Sequence, residues 1–301
     1  MANRHAGRLA DIWKHLVLAE VLGATRPRLY AETHAGHATY PLDVPATPAA
    51  RRDSRPADPV AERIYGAARF QDVMDADAAL AASRYGRVLR DLASASGLLP
   101  GSPAVAMAEL GAHATYLLCD LDPDSTANIT HWAIVTGLAD RVATVTADGM
   151  QAVARRVLGG AADAGSTFVH VDPCDPWAIG VGGLSALDLA RALIIQGVAV
   201  MYWYGYDRPA QRTWALAELS GHRPLWCVDL MVTAADGGVR ADGRLGRATT
   251  PGTGSGIVCA HVGEPALERC RLLGRALADA YRGVPLPSGA PGAVTLTVAT
   301  A

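Results

Sequence analysis

Hydrophobic and polar positions follow two different periods along the chain, and these periods predict alternating helices and strands. Residues 8–22 carry apolar side chains at helical spacing and predict an amphipathic helix. Short apolar runs predict strands at 28–32, 114–119, 141–146, 167–171, 197–204, 225–232 and 257–261. The segments between them predict helices at 102–110, 125–136, 150–158, 184–196, 209–220 and 265–281. This alternation predicts an α/β fold with a doubly wound, mostly parallel sheet.

Three segments depart from the alternation. Residues 41–59 are rich in Pro, Ala and Arg, and helical spacing follows from 60 to 95, so we predict a helical insertion at 46–97. The Gly-rich segment 234–256 predicts a mobile loop near the pocket. The tail from 283 is expected to be loose, apart from residues 293–298.

Composition narrows the class of protein. The 301 residues include no apolar run long enough for a membrane helix and no apolar leader, so we expect a cytoplasmic protein. The five cysteines form no C-x-x-C pair, which favours free thiols in a reducing compartment. The formal net charge is −2, and Lys14 is the only lysine. Proteins that hold long nucleic acids usually carry a basic excess, so this balance lowers the expectation of an RNA partner, although it leaves a local arginine patch open.

Acidic residues follow three of the predicted strands. Asp120, Asp148 and Asp172 each lie where an apolar run ends. The carboxyl ends of parallel strands meet at one edge, where open α/β sheets bind ligands, so the three acids are expected to share one crevice. Asp120 is placed to accept the ribose hydroxyls of an adenosine-type cofactor. The alternative is that Asp122 or Asp124 simply caps the next helix.

The stretch 166–177 is the most informative part of the chain. Its strand runs directly into Asp172-Pro173, and Cys174 and Asp175 are expected to face the same crevice, with Trp177 behind them. The alternative is an ordinary strand-to-loop turn, in which Cys174 is a packing residue rather than a nucleophile. The next strand ends in the aromatic run Tyr202, Trp203 and Tyr204, which is predicted to line the pocket.

Weaker signals lie nearer the start of the chain. Ser102 precedes a helical pattern, and its hydroxyl is predicted to be the N-cap. Lys14 and His15 fall near one face of the first helix, where a solvated lysine beside a half-buried histidine is the favoured interpretation. His34 and His37 suggest a metal, but no third ligand is in view, so we predict no metal.

Several motifs occur in the order found in one known family. Together they resemble the RlmJ family of S-adenosylmethionine-dependent methyltransferases, which modify an adenine amino group in large-subunit ribosomal RNA. The matching motifs are HAGRLADIWKH (5–15), ETHAGHATY (32–40), PGSP (100–103), CDLDP (119–123), ADGMQ (147–151), VDP (171–173) and GTGSGIV (252–258). The resemblance implies a Rossmann-like class I methyltransferase fold. Residues 1–45 and 98–301 would form the S-adenosylmethionine-binding domain, and 46–97 the helical insertion.

The resemblance also implies roles for individual residues. It places the cofactor contacts at His15, His34, Ser102, Asp120, Asp148 and Gly149, with S-adenosylmethionine as the cofactor. Asp148 would receive the adenine amino group, with the backbone of Gly149 beside it. Asp120 stands where the family has Glu, and either carboxylate can bind ribose hydroxyls. The catalytic acid falls on Asp172.

The chain departs from the family at the catalytic motif. The family has Asp-Pro-Pro-Tyr where this chain has Asp172, Pro173, Cys174 and Asp175. In that motif the Asp side chain and a Pro carbonyl orient the target amine for in-line displacement, and the aromatic ring stacks on the base. Loss of the ring removes about 1–3 kcal/mol of stacking, and Asp175 adds a charge that repels phosphate. Trp177 is placed to restore stacking from two residues further on.

Three functions are compatible with these residues. The first is an S-adenosylmethionine-dependent N-methyltransferase with a small-molecule acceptor, in which Asp172 holds the amine and Cys174 and Asp175 reshape the pocket. The second is a ribosomal RNA adenine methyltransferase that tolerates the variant motif. The third is an enzyme that acts on the cofactor itself, with Asp175 as the base in an elimination or cyclisation of the aminobutyrate arm that releases methylthioadenosine. The oligomeric state is open.

Overall fold

A computed structural model describes residues 6–42, 64–180, 182–221, 225–233, 253–284 and 293–300. The strands are β1 (Leu29–Glu32), β2 (Thr39–Pro41), β3 (Leu98–Pro100), β4 (Thr115–Asp120), β5 (Val142–Thr146), β6 (Thr167–Val171), β7 (Ala199–Tyr206), β8 (Trp226–Thr233), β9 (Gly254–Ala260) and β10 (Ala293–Thr300). The α-helices are α1 (Leu9–Thr25), α2 (Arg69–Ala76), α3 (Ala78–Ala81), α4 (Arg84–Ser96), α5 (Ser102–Leu110), α6 (Pro123–Val135), α7 (Gly149–Val153), α8 (Ala186–Ile195), α9 (Pro209–Leu219) and α10 (Glu264–Ala280). Short π-helices cover Ile64–Ala68 and Ala154–Leu158, and 3₁₀ turns cover Gly111–His113 and Ala164–Ser166.

The main sheet has the order β10-β8-β9-β7-β6-β1-β4-β5, and β2 and β3 form a separate ribbon. From β5 to β7 all neighbours are parallel. Strand β9 runs antiparallel to both β7 and β8, so β8 keeps the direction of the parallel strands. Strand β10 is antiparallel to β8. The predicted α/β class with a doubly wound, mostly parallel sheet is therefore confirmed.

Helices cover both faces of the sheet and create two hydrophobic cores. On one face, α1, α5 and α10 pack against residues such as Phe168 and Met201. On the other, α7, α8 and α9 pack against residues such as Val169 and Val200. Strands β1 and β6 are buried along their whole length, as expected for central parallel strands with both faces covered. Their apolar runs therefore show little alternation.

The helical insertion is observed in part. Residues 43–63 lie outside the described residues, and 64–97 are mainly helical. Phe70, Tyr85 and Leu89 share one core with α1. The division into two domains stays a prediction.

The loop prediction for 234–256 is wrong at its carboxyl end, since β9 already begins at Gly254; residues 234–252 lie outside the described part of the chain. A Cβ atom on Gly254 would lie 2.2 Å from the Tyr206 ring, and one on Gly256 would lie 2.2 Å from the Tyr204 ring. These glycines leave room for tyrosine rings of the neighbouring strand, so here glycine marks close packing in a strand. Across the described ranges, the helices are too short or too polar to span a lipid bilayer.

Candidate functional site

The three strand-end acids meet the segment that follows β1, residues 33–36. Asp120 Oδ2 accepts a hydrogen bond from Gly36 N–H at 2.8 Å, and Asp172 N–H donates to Thr33 Oγ1 at 3.4 Å. Gly149, the residue after Asp148, lies against the carbonyl of Thr33. The acids therefore lie together at the carboxyl edge of the sheet, as the strand order predicts.

His34 belongs to this segment. Burial lowers the pKa of its imidazole, and the carboxylates of Asp172, Asp120 and Asp148 oppose that shift.

Asp120 is held by backbone amides on both sides. Its Oδ2 accepts a hydrogen bond from Gly36 N–H at 2.8 Å, and its Oδ1 accepts one from Asp122 N–H at 2.8 Å. Gly36 has φ 61°, in the left-handed region that favours glycine. The capping role falls on Asp122, whose Oδ1 accepts from Asp124 N–H at the start of α6. Asp120 therefore does not cap α6, and its role in ribose binding stays a prediction.

The start of α7 is pressed against the ends of β1 and β4. Asp148 is the N-cap and accepts a hydrogen bond from Gln151 N–H at 3.2 Å. A Cβ atom on Gly149 would lie 1.9 Å from the carbonyl oxygen of Thr33 and 2.8 Å from Cys119 Cβ. Only glycine permits this close approach, so the backbone beside Asp148 has a fixed position at the crevice.

Asp172 forms an ion pair with Lys14. Lys14 Nζ lies 2.6 Å from Asp172 Oδ2 and 3.4 Å from Asp11 Oδ1, and only 8% of Lys14 is exposed. Burial by itself would lower the pKa of Lys14, but Asp172 and then Asp11 raise it above its ordinary value. The interpretation of Lys14 as a solvated residue is wrong, because the helix face that carries it is covered by the end of β6.

Lys14 is also the cation of a wider acidic cluster. Among the described residues, Glu32, His170 and Asp172 offer ligand atoms within 4.8 Å of one another, a composition that is compatible with a metal. The Lys14 ammonium already supplies positive charge beside Asp172, so we interpret the cluster as an ion-pair network. The prediction of no metal stays a prediction.

Ser102 differs from its predicted local role. Gly101 is the N-cap of α5, and no side chain caps it. The Ser102 hydroxyl instead donates to Glu32 Oε1 at 2.5 Å. The N-cap prediction is wrong because the helix begins one residue earlier: Ser102 is its first helical residue, and its hydroxyl acts as the donor to a fully buried carboxylate. The role of Ser102 in cofactor binding stays a prediction.

His15 is buried, and its ring lies 5.5 Å from that of Tyr85. The pKa of His15 is held well below its ordinary value, first by burial and then by Lys14 and His170. The His15 imidazole is therefore neutral at physiological pH. Its predicted contact with the cofactor is untested.

The buried histidines make stability depend on pH. In the unfolded chain His15 and His34 bind protons near pH 6.5, whereas in the folded chain both imidazoles stay neutral to lower pH. The free energy of unfolding therefore falls as the pH drops below about 6.5. At each histidine the loss is at most about 1.4 kcal/mol per pH unit below pH 6.5, and urea unfolding at a series of pH values measures it. His15→Gln should flatten this dependence, and an unchanged slope in that variant would contradict the interpretation.

Cys174 and Asp175 form the turn after the central strand. Cys174 lies at the surface of this turn. Desolvation by the surrounding residues, and then the charges of Asp172 and Asp175, raise the pKa of its thiol, which disfavours a thiolate nucleophile. Asp175 Oδ1 accepts a hydrogen bond from Trp177 N–H at 2.9 Å, the geometry of an Asx turn. The Trp177 ring lies 5.4 Å from that of Trp214, which sequence reasoning missed because it lies on α9.

The aromatic run of β7 is divided between two faces of the sheet. Tyr202 and Tyr204 are fully buried on the α8–α9 side, and the Tyr204 hydroxyl donates to Asp229 at 2.8 Å. Trp203 points to the other face, where Lys14 Nζ lies 5.8 Å from its ring. The structure therefore brings only Trp203 next to the Lys14–Asp172 pair, because successive side chains of a strand alternate. The expectation that all three line one pocket is not met.

Fold and site together define a Rossmann-like α/β protein with three carboxylates at the carboxyl edge of its sheet. No family model and no curated protein matches the chain. The structure is similar to protein LPL1258 from Legionella pneumophila, of family model DUF519, with a TM-score of 0.71, 16% identity and 98% of each chain covered. That similarity shows a shared fold.

Two other solved structures show weaker similarity. The SAM-dependent methyltransferase from Agrobacterium tumefaciens has a TM-score of 0.36 and 15% identity, with 53% of each chain covered. Precorrin-6y C5,15-methyltransferase from Geobacter metallireducens has a TM-score of 0.30 and 14% identity, with 53% of this chain and 74% of that chain covered. Similarity at this level carries no argument about activity.

Proposed function

We propose that this chain is an S-adenosylmethionine-dependent methyltransferase that transfers the methyl group to an amino group of a small-molecule acceptor. The observation that carries the proposal is that Asp120, Asp172 and the Asp148–Gly149 turn all meet the segment 33–36 at the carboxyl edge of the sheet. S-adenosylmethionine would supply an electrophilic methyl group on a positively charged sulfur. A crevice with three carboxylates suits that charge.

Backbone contacts as well as the acids support this choice of cofactor. The Asp120 carboxylate, fixed by Gly36 and Asp122, is oriented to accept hydrogen bonds from a ribose diol. The close approach of Gly149 to Thr33 leaves the Asp148 segment placed to receive an adenine edge. These residues bind and orient; none of them needs to exchange a proton.

Asp172 is the residue that acts on the acceptor. Lys14 holds its Oδ2 at 2.6 Å, which leaves Oδ1 to accept a hydrogen bond from the amine. That bond would direct the nitrogen lone pair toward the methyl carbon, an effect of positioning. The ion pair with Lys14 fixes the orientation of the Asp172 carboxylate.

The charges near the crevice favour a small acceptor over RNA. Lys14, the only lysine, is buried in an ion pair and cannot neutralise a phosphate. Asp175 is exposed beside Asp172 and would repel a phosphate backbone. Trp177 and the half-exposed Trp214 offer aromatic surface for a planar acceptor.

Incubation with methyl-labelled S-adenosylmethionine in three arms tests the proposal. The protein is given the cofactor alone, the cofactor with total ribosomal RNA, or the cofactor with a small-metabolite fraction, and products are analysed by mass spectrometry. Label in the metabolite fraction supports the proposal. Label in adenine of RNA would establish the RNA alternative instead. Methylthioadenosine formed with cofactor alone would establish the third function, and no label in any arm would refute an enzymatic role with this cofactor.

A further inference from the structure

Glu32 is a buried carboxylate at the end of the central strand, and neither the sequence motifs nor the proposed chemistry gives it a role. It is fully buried, and it pairs in register with His170 on β6 and with Leu118 on β4. An ionised side chain at such a position is costly unless hydrogen bonds replace its water. An apolar side chain would fill the same space without the desolvation free energy of a carboxylate, so a structural role for the carboxylate is expected.

Three donors from three parts of the chain meet at this carboxylate. Ser102 Oγ, in the first turn of α5, donates to Oε1 at 2.5 Å. The Tyr30 hydroxyl donates to Oε2 at 2.9 Å, and His170 Nδ1 lies 2.9 Å from Oε1. The Ser102 distance falls in the range of charge-assisted O–H···O⁻ bonds, which are the stronger class.

The acceptor chemistry of a carboxylate sets the direction of these hydrogen bonds. A carboxylate only accepts hydrogen bonds, so His170 carries its proton on Nδ1 and donates it to Glu32. Burial and the Glu32 charge raise the pKa of Tyr30 well above its ordinary value, so the phenol keeps its proton and donates as well. The Glu32 charge also acts on Lys14, the partner of Asp172.

We propose that Glu32 is a positioning residue that fixes the start of α5 against the end of β6. Through Ser102 it holds the start of α5, where Gly101 N–H donates to the carbonyl of Ala38 at 2.8 Å, in the loop whose Gly36 fixes Asp120. Through His170 it holds β6, whose last residue, Val171, is followed directly by Asp172. Glu32 therefore sets the distance between the cofactor and the group that orients the acceptor, and this part of the inference rests on the proposed function.

The chain offers a matched control for the loss of a buried carboxylate. Glu20 lies on α1 with 8% of its surface exposed and accepts a hydrogen bond from Arg84 N–H at 2.9 Å. Arg84 also pairs with Glu109 at 2.8 Å, and none of these residues contacts the acids of the crevice in the described structure. Glu20→Gln should reduce stability and leave ligand binding unchanged.

The test compares Glu32→Gln, Ser102→Ala, the double variant and Glu20→Gln. Dissociation constants for S-adenosylhomocysteine are measured by calorimetry, and stabilities by urea unfolding. We expect Glu32→Gln to weaken binding about tenfold and to lower kcat with little change in the acceptor KM, since misplacement of reacting groups by about 1 Å has effects of that size or larger. The double variant should bind no more weakly than Glu32→Gln and should be destabilised by less than the sum of the single changes.

Each outcome is decisive. Wild-type affinity and kcat in Glu32→Gln, or equal losses in Glu20→Gln, would overturn the positioning role. A wild-type protein that does not bind S-adenosylhomocysteine would refute the proposed function, and the unfolding cycle would then decide the positioning role alone. In that case additive destabilisation overturns it, and non-additive destabilisation supports it.

Discussion

Asp172→Asn is expected to slow methyl transfer about a hundredfold at saturating cofactor, because the amide cannot orient an amine as the carboxylate does. The rate is measured with the acceptor labelled in the three-arm incubation. S-adenosylhomocysteine affinity should change little, since the carboxylate faces the acceptor. The substitution leaves the buried Lys14 with only Asp11 at 3.4 Å, so the free energy of unfolding should also fall, by about 3 kcal/mol.

Two further variants separate activity from stability. In Lys14→Met/Asp172→Asn no buried charge lacks a partner, so stability should recover while activity stays low. Asp163→Asn makes the same chemical change at the opposite end of β6, where the side chain caps a short turn through Gly165 N–H. That control should transfer methyl groups at the wild-type rate. Activity of Asp172→Asn within twofold of wild type would remove Asp172 from the mechanism.

Gly149→Ala is expected to have the second largest effect. The added Cβ would lie 1.9 Å from the Thr33 carbonyl oxygen, a distance that no relaxation of a flexible side chain can relieve. Either α7 or the end of β1 must move, and overpacking of this kind costs about 1–3 kcal/mol. Because the displaced backbone lies beside Asp148, S-adenosylhomocysteine affinity should fall at least about tenfold by calorimetry.

Gly165→Ala is the matched control. Its added Cβ would meet no atom closer than 3.8 Å, so its stability should lie within about 0.5 kcal/mol of wild type and its affinity should be unchanged. Wild-type binding and stability in Gly149→Ala would show that the backbone at α7 has room to spare. That result would remove Gly149 from the cofactor site.

The sequence predicts the sheet and the acids at its edge because both depend on local signals. Apolar runs that end in Asp locate Asp120, Asp148 and Asp172, and the parallel order of strands brings them together. The split of Tyr202, Trp203 and Tyr204 was also within reach of sequence reasoning. Successive side chains of a strand point to opposite faces, which separates Trp203 from Tyr202 and Tyr204. The prediction that all three line one pocket does not follow this rule.

The polar interior of the site could not be predicted in the same way. Lys14 and Asp172 are 158 positions apart, and nothing local to either residue indicates the other. Ser102 has the pattern of an N-cap, but the helix begins at Ser102 itself, and its hydroxyl donates to Glu32, 70 positions away. Such pairings arise only when the fold brings distant charges together, so tertiary contacts override local preference at Lys14, Ser102 and Glu32.

Lys14 is the only lysine among the 301 residues, and it lies within α1 against the end of β6. A protease that cleaves after lysine therefore has one peptide bond to hydrolyse in this chain, between Lys14 and His15. An α-helical backbone does not fit the extended binding cleft of a protease, so cleavage requires α1 to leave the sheet. The rate at which the two fragments appear would therefore report how often α1 detaches from the sheet. A bound ligand that holds α1 in place would slow the digestion.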